Sequence, residues 1–445
     1  MNLDQTMLAR ILTMMTLSFH IIFATLGVGM PLVISIAEFL GIRRGDDHYL
    51  QMAKRWSKGY TVTVAVGVVT GTCIGLQLSL LWPTFMKLGG DAIALPLFLE
   101  TFAFFFEAIF LGIYLYSWNR FSNPWIHWAL GIPVLVGSSL SAFFIMTVNA
   151  FMNAPQGFKL QDGKIVDVQP ILAMFNPATP TKAGHMILSA WATTAFVLAC
   201  LAAYRMLKGN KQEYVKKALR LTMVLSLVFS SGTALYGDLA GKYLAKHQPE
   251  KLAAAEWHFD TGTQASLVLG GVLNEQTHEI SYGVKIPYLL SFLATGSPTG
   301  EVKGLNEVAK DLQPPLFVHY LFDAMAGIGS YMVLVPLLYF LWTRKRGREV
   351  PKGLMRLIVW GGPLAMLAIQ LGWVFSEVGR QPWILVGYLK TGASATTSAH
   401  VGSMVILFGL LYVFLGVAAS RVLLRMFRNN PIPADVDQGR EPHVA

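Results

Sequence analysis

Nine separate stretches of this chain are long enough and apolar enough to cross a lipid bilayer, and they limit its fold more than any other feature. A helical span needs about 20 mostly apolar residues. The candidates are 11–40, 59–82, 94–117, 125–151, 185–206, 219–240, 317–342, 355–376 and 395–420. In hydrocarbon each backbone polar group must find its partner inside the protein, so runs of this length fold as helices. Only 13% of the 445 residues are charged, about half of what a soluble domain carries. The expectation is an all-α polytopic membrane protein. The first run is too long for the apolar core of a signal peptide, and no A-x-A-like site follows it. Cys73 and Cys200 lie inside apolar runs, form no CxxC, and read as small core residues.

Loop charge sets the expected orientation. Arg43, Arg44, Lys54, Arg55 and Lys58 follow span 1, and Arg205, Lys208, Lys211, Lys216, Lys217 and Arg220 follow span 5. Arg344, Lys345, Arg346, Arg348, Lys352 and Arg356 follow span 7, and Arg421, Arg425 and Arg428 follow span 9. With nine spans these all fall on one side, which the positive-inside rule makes cytoplasmic. The N-terminus then faces out and the C-terminus in. The net charge of +10 is carried by these short loops, so it marks topology and not a nucleic-acid-binding face. The expected division is spans 1–6 in 1–240, a long outer loop at 241–316, spans 7–9 in 317–428, and a disordered cytoplasmic tail at 429–445.

Ionisable groups at membrane depth are costly and mark function by default. With this topology they gather in the outer half or near the midplane. His20 lies ten residues beyond Arg10, about 15 Å at helical rise. Glu100 and Glu107 are seven residues apart in span 3, on one helix face to within about 20°. They either relay protons or stand as neutral, hydrogen-bonded structural acids. His185 opens span 5 beside Gly184, and Asp323 and Met325 lie in the first turns of span 7. Met is chiefly a gap-filler, yet His and Met from different helices are a known axial pair for haem. His319 and Asp323 are spaced i, i+4 and can pair. His48, His127, His247, His258, His278 and His443 fall in loops or near span ends and receive no ligand role, and His400 is unexplained. The run Gly372-Trp373-Val374-Phe375-Ser376-Glu377-Val378-Gly379-Arg380-Gln381-Pro382-Trp383 puts Glu377, Arg380 and Gln381 within five residues at the mouth of span 8.

That last run closely resembles the signature of subunit I of the cytochrome bd-type quinol oxidases, and the likeness extends from span 1 to span 9. Span 3 adds Glu100-Thr101-Phe102-Ala103-Phe104-Phe105-Phe106-Glu107, and span 4 adds Leu140-Ser141-Ala142 and Asn149. The outer loop adds Gln248-Pro249-Glu250-Lys251-Leu252-Ala253-Ala254-Ala255-Glu256. The resemblance implies two four-helix bundles plus a peripheral helix. It implies His185 and Met325 as axial ligands of a low-spin haem b. His20 and Glu377 would be ligands of the two haems of the oxygen site, one a high-spin haem b and the other haem d or a further haem b. It implies Gln248, Lys251 and Glu256 at the quinol, Glu100 and Glu107 as proton donors, and Ser141 and Asn149 on a proton path. Arg380 would pair with haem propionates or carboxylates, and Trp373 would lie between haems. The implied activity is oxidation of quinol on the outer side and reduction of oxygen to water, building a proton motive force without pumping. The implied place is the bacterial cytoplasmic membrane, with a second polytopic subunit as partner and small single-span subunits as further candidates.

One departure stands out. Asp323 occupies a position two before Met325 where some members of the family carry arginine, so an ionised Asp323 would lower the potential of the adjacent haem unless His319 compensates it. Two other readings compete. A quinone-linked b-type cytochrome would lack the His20 and Glu377 pair, which is present. A proton-coupled transporter using Glu100 and Glu107 would bind no haem.

Overall fold

The computed structural model describes residues 4–344 and 349–431. Lys345, Arg346, Arg348 and residues 432–445, including His443, lie outside the described residues, and with them most of the expected disordered tail. Among the described residues nine helices have the length and apolarity to span a membrane. They are α1 (Gln5–Arg44), α2 (Asp47–Leu81), α3 (Pro83–Tyr116), α4 (Pro124–Asn153), α5 (Thr179–Leu207), α6 (Glu213–His247), α7 (Val318–Thr343), α8 (Lys352–Val378) and α9 (Val401–Asn429). Each overlaps one expected span. Most run past the apolar window, because hydropathy sees only the part of a helix in hydrocarbon, while the ends continue among charged residues. Thus α2 starts at Asp47 and not at 59, and α6 ends at His247 and not at 240. His185 lies in the second turn of α5, not at its start. The last helix begins at Val401, since a short 3-10 turn at Thr391–Ala393 holds the preceding segment, and it continues through Asn429.

Local sequence explains the helix ends. Gly45 closes α1 with φ 62°, a left-handed conformation that glycine adopts without a side-chain clash, and its N–H bonds back to the last turn. Asp46 then caps α2 by accepting the His48 N–H at 3.1 Å. Pro83 and Pro124 stand at the starts of α3 and α4, where the missing N–H costs nothing.

Helix α1 packs on α2, α4 and α5, and α3 packs on α4. Helix α5 packs on α6 and α8, and α7 on α6 and α8; α9 lies against α1 and α2. Small residues let the backbones approach. At the α1–α5 crossing a Cβ on Gly29 would strike Thr194, and at the α5–α8 crossing one on Gly362 would sit 2.7 Å from Cys200.

Polar contacts show which helix ends share a side. Lys217 at the start of α6 pairs with Asp46 between α1 and α2 at 2.6 Å. Lys211 before α6 pairs with Glu349 before α8 at 2.6 Å, and Arg55 in α2 donates to the carbonyl of Phe427 in α9 at 3.2 Å. The basic connections therefore lie together.

The segment between α6 and α7, at the opposite end, is more than the polar loop its composition suggests. It holds a short helix (Pro249–Ala255), two small antiparallel ribbons (Leu267–Leu269 with Val284–Ile286, and Val272–Leu273 with Ile280–Ser281) and a second short helix (Leu289–Thr295). Its Leu252, Trp257, Phe259, Leu290 and Leu305 are buried together with Tyr243 of α6, Val318 of α7 and Phe375 of α8. The segment is folded down as a cap over the ends of three helices.

Candidate functional site

His20 on α1 is held by Thr70 of α2, with Nδ1 2.8 Å from the hydroxyl oxygen. The single Thr70 proton is already given to the Val66 carbonyl at 2.8 Å. The network therefore makes His20 Nδ1 the donor and leaves the Nε2 lone pair free, the arrangement of a metal-ligating imidazole. His185 on α5 is built the same way, since Nδ1 faces the Thr233 carbonyl of α6 at 3.1 Å. A glycine on a neighbouring helix faces each of these groups. A Cβ on Gly71 would lie 3.4 Å from the His20 ring, one on Gly237 3.6 Å from the His185 ring, and one on Gly372 3.0 Å from Met325 Sδ. Gly184, beside His185, touches the Tyr236 ring so closely that no side chain fits. Trp373 of α8 packs among Leu17 and Ile21 of α1, Ala142 of α4 and Met186 of α5, so it lies between the two histidine regions.

Glu377, in the last turn of α8, uses both carboxylate oxygens. Oε1 accepts from Asn149 Nδ2 of α4 at 2.7 Å and Oε2 from Arg380 at 2.5 Å. Lys182 of α5 donates to Asn149 Oδ1 at 3.1 Å and to the Ser376 hydroxyl at 3.3 Å. Arg10 of α1 donates to Gln381 Oε1 at 3.1 Å, and Gln381 donates to the Glu377 carbonyl at 3.3 Å. Neither Lys182 nor Arg10 was singled out as a site residue from sequence. Each is a single basic residue near a helix end, and nothing in a linear pattern tells such a residue from a topology signal.

Glu100 accepts from Ser141 Oγ of α4 at 2.9 Å. Glu107 is buried and accepts from the Tyr60 hydroxyl of α2. Ser141 and Asn149 thus serve different acids, one on α3 and one on α8. Towards the basic end, Tyr60 and Tyr114 line one small cavity together with Ser35 and Ser57. Tyr114 donates to Glu38 Oε2 at 2.6 Å, and His127 Nδ1 meets Glu38 Oε1 at 2.6 Å. All three are buried. His127, read from sequence as a residue near a span end, is part of an interior polar group.

The three outer-segment residues separate. Gln248 Nε2 donates to the Asn153 carbonyl of α4 at 2.7 Å, and Lys251 Nζ to the Ser376 carbonyl of α8 at 3.1 Å. Glu256 faces the other way, towards α7. Burial, with the charge of Asp323 adding to it, pushes the Glu256 carboxyl up to about 8, and its Oε2 has no hydrogen-bond partner among the described residues. Asp323 accepts the Gly270 N–H at 2.5 Å and lies 3.3 Å from His319 Nε2. His319 is wholly buried, stacks on Trp257 with ring centroids 3.8 Å apart, and its Nδ1 faces the Ala255 carbonyl at 2.7 Å. The i, i+4 pair expected from sequence is formed, and it also ties α7 to the outer segment.

Among the described residues, nine helices long and apolar enough to span a membrane carry these histidines, the methionine and the carboxylates, which defines the class as a polytopic membrane protein with polar groups inside its spans. Residues 8–431 match the family model for cytochrome bd terminal oxidase subunit I, and the chain belongs to that family. It is 42% identical to a putative cytochrome bd menaquinol oxidase subunit I of Bacillus subtilis, over 98% of this chain and 99% of that one. It is 31% identical to a cytochrome bd ubiquinol oxidase subunit 1 of the same organism, over 95% and 93%. The bd oxidase structure from Geobacillus thermodenitrificans superposes with a TM-score of 0.92 at 57% identity, covering 96% of this chain and 99% of that one. Membership makes the chain a haem-protein subunit of a bacterial terminal oxidase. The residues present suit haem: two imidazoles with Nε2 left free, a thioether opposite a glycine, and buried guanidinium nitrogens of Arg380 without partners among the described residues.

Proposed function

We propose that the chain oxidises quinol at its outer segment and delivers the electrons to an oxygen-reducing site beside His20 and Glu377. The observation that carries this reading is the paired histidine geometry, in which neighbouring helices hold both Nδ1 atoms and leave both Nε2 atoms free. His185 and Met325 would hold a low-spin haem b. His20 and Glu377 would hold the two haems of the oxygen site, one haem b and one haem d or b. Bound haem would supply electron transfer and oxygen reduction.

The chain's own groups manage protons and charge. Glu256 is a buried acid with a free oxygen, suited to take a proton from a quinol hydroxyl. Glu107 takes protons through the Tyr60 hydroxyl and passes them to Glu100, beside Ser141, towards the oxygen site. The cavity shared by Tyr60 and Tyr114, and the Glu38–His127 pair beyond it, extend this polar line towards the basic end. Asn149 and Arg380 fix the Glu377 carboxylate, and Trp373 fills the space between the histidine regions. With the basic ends in the cytoplasm, quinol protons leave outside and oxygen takes its protons from inside, so the membrane is charged without a pump. A second polytopic subunit completes the enzyme. The relatives are named for menaquinol and for ubiquinol, so quinol is the class of donor assigned here.

Proteoliposomes of the oxidase test this reading directly. Quinol should drive oxygen consumption while the lumen on the basic-loop side turns alkaline. Oxygen consumption with no lumenal alkalinisation would overturn the assigned direction, and none at all would overturn the function.

A further inference from the structure

His319 is wholly buried at the outer end of α7, and it meets the outer segment at three points. Its Nδ1 faces the Ala255 carbonyl at 2.7 Å. That oxygen belongs to the last residue of the short helix Pro249–Ala255, where a carbonyl has no partner within its own helix. A carbonyl only accepts, so Nδ1 carries a proton and donates it. The face of the imidazole lies on Trp257, with ring centroids 3.8 Å apart and planes 22° from parallel. Its Nε2 lies 3.3 Å from both the Gly270 carbonyl and Asp323 Oδ2, and Asp323 accepts the Gly270 N–H. The third contact therefore ties the turn at Gly270 to the same helix.

The first two contacts bracket Glu256. Ala255 precedes it and Trp257 follows it, so one ring holds both of its neighbours in the chain. The turn there is sharp. Trp257 has φ 46°, a left-handed conformation that a bulky residue rarely adopts. Such a turn persists only where its surroundings fix it. The stack on His319 does so, together with the indole N–H that Trp257 donates to the Leu316 carbonyl at 2.8 Å, just before α7. Glu256 itself is 3% exposed, and its Oε2 has no hydrogen-bond partner among the described residues. With that oxygen unheld, the direction of the side chain is set by the backbone on either side.

We propose that His319 is a positioning residue for quinol oxidation, which aims the Glu256 carboxylate at the quinol hydroxyl by fixing Ala255 and Trp257 on either side of it. The inference rests on the reading of Glu256 as the quinol acid. Proton transfer needs the acceptor within hydrogen-bond reach, and a misplacement of about 1 Å costs on the order of 100-fold in rate. Apolar burial of the quinol ring is insensitive to that aim, so a mis-aimed carboxylate lowers kcat and leaves KM in place.

The test uses the whole oxidase with its partner subunit. His319→Phe keeps a ring on Trp257 and removes the N–H, whereas His319→Asn keeps an N–H near the Nδ1 position and removes the ring. Both are compared with the parent and with Glu256→Gln. Rates are measured with quinol and with tetramethyl-p-phenylenediamine, an electron donor that has no hydroxyl proton to give. His319→Phe should lower kcat with quinol roughly 10-fold or more and move KM less than about 2-fold, with the phenylenediamine rate kept and His319→Asn recovering part of the quinol rate. An unmoved quinol kcat in His319→Phe, beside a Glu256→Gln that loses it, would overturn the proposal. Equal losses with both donors would also overturn it, by making His319 a packing residue of the segment, and so would a raised KM with kcat unmoved. A Glu256→Gln with the parent's quinol rate would overturn the reading of Glu256 and the proposal with it.

Discussion

Glu377 and Glu256 show how much a carboxylate's neighbours decide. Glu377 is hydrogen-bonded on both oxygens, by Asn149 and by Arg380, so its carboxyl group is fixed in place. Glu256 is buried with one oxygen free, and its carboxyl is pushed up to about 8. A base acts when deprotonated, so quinol oxidation should rise as pH climbs through about 8 and level off above it. Glu256→Gln should lower the rate roughly 100-fold and flatten that profile. A Gln variant that kept the parent's pH dependence would assign the titration to another group. At this scale the sequence was most readable where polar residues interrupt apolar runs, as with His20, His185 and Glu377. It was silent on Lys182, Arg10, Tyr60 and Glu38, because each acquires meaning only from a partner dozens or hundreds of residues away.

Helices and the outer segment were legible to different degrees. Apolar windows located all nine helices, because lipid leaves the backbone little alternative. Their ends were missed by up to about 12 residues, as at the start of α2, since headgroup-level turns carry no apolar signal. The outer segment read as a polar loop because its core is drawn from scattered residues such as Trp257, Leu290 and Leu305, with no period to betray it. Trp257 is the keystone there, stacked on His319 and donating to the Leu316 carbonyl at 2.8 Å. Trp257→Ala should cost the segment about 3 kcal/mol. Limited proteolysis should then cut within 256–317 much faster than in the parent, while the membrane helices stay intact. Unchanged cleavage would mean that the segment is held from elsewhere.

Across the whole molecule the packing has two groups of four helices, α1 to α4 and α5 to α8, joined chiefly through α5 against α1 and α4. The histidine and methionine positions divide between them. His20 belongs to the first group and His185 and Met325 to the second, with Trp373 and the Glu377 cluster along the seam. The outward face of α3 exposes Phe98, Phe102, Phe105 and Ile109 at helical spacing, a surface suited to lipid or to a partner's helices. The outer segment closes over the ends of α6, α7 and α8, and the acids of α3 face Tyr60 of α2 and Ser141 of α4.

The central claim is that the two helix groups hold haems of different kinds, one closed to small ligands and one open. Reduced-minus-oxidised difference spectra of the purified oxidase, recorded with and without carbon monoxide, test it most directly. The account predicts a low-spin b-type signal that ignores carbon monoxide together with a second haem signal that shifts when it binds. A spectrum with no haem absorption, or one in which no band responds to carbon monoxide, would contradict it.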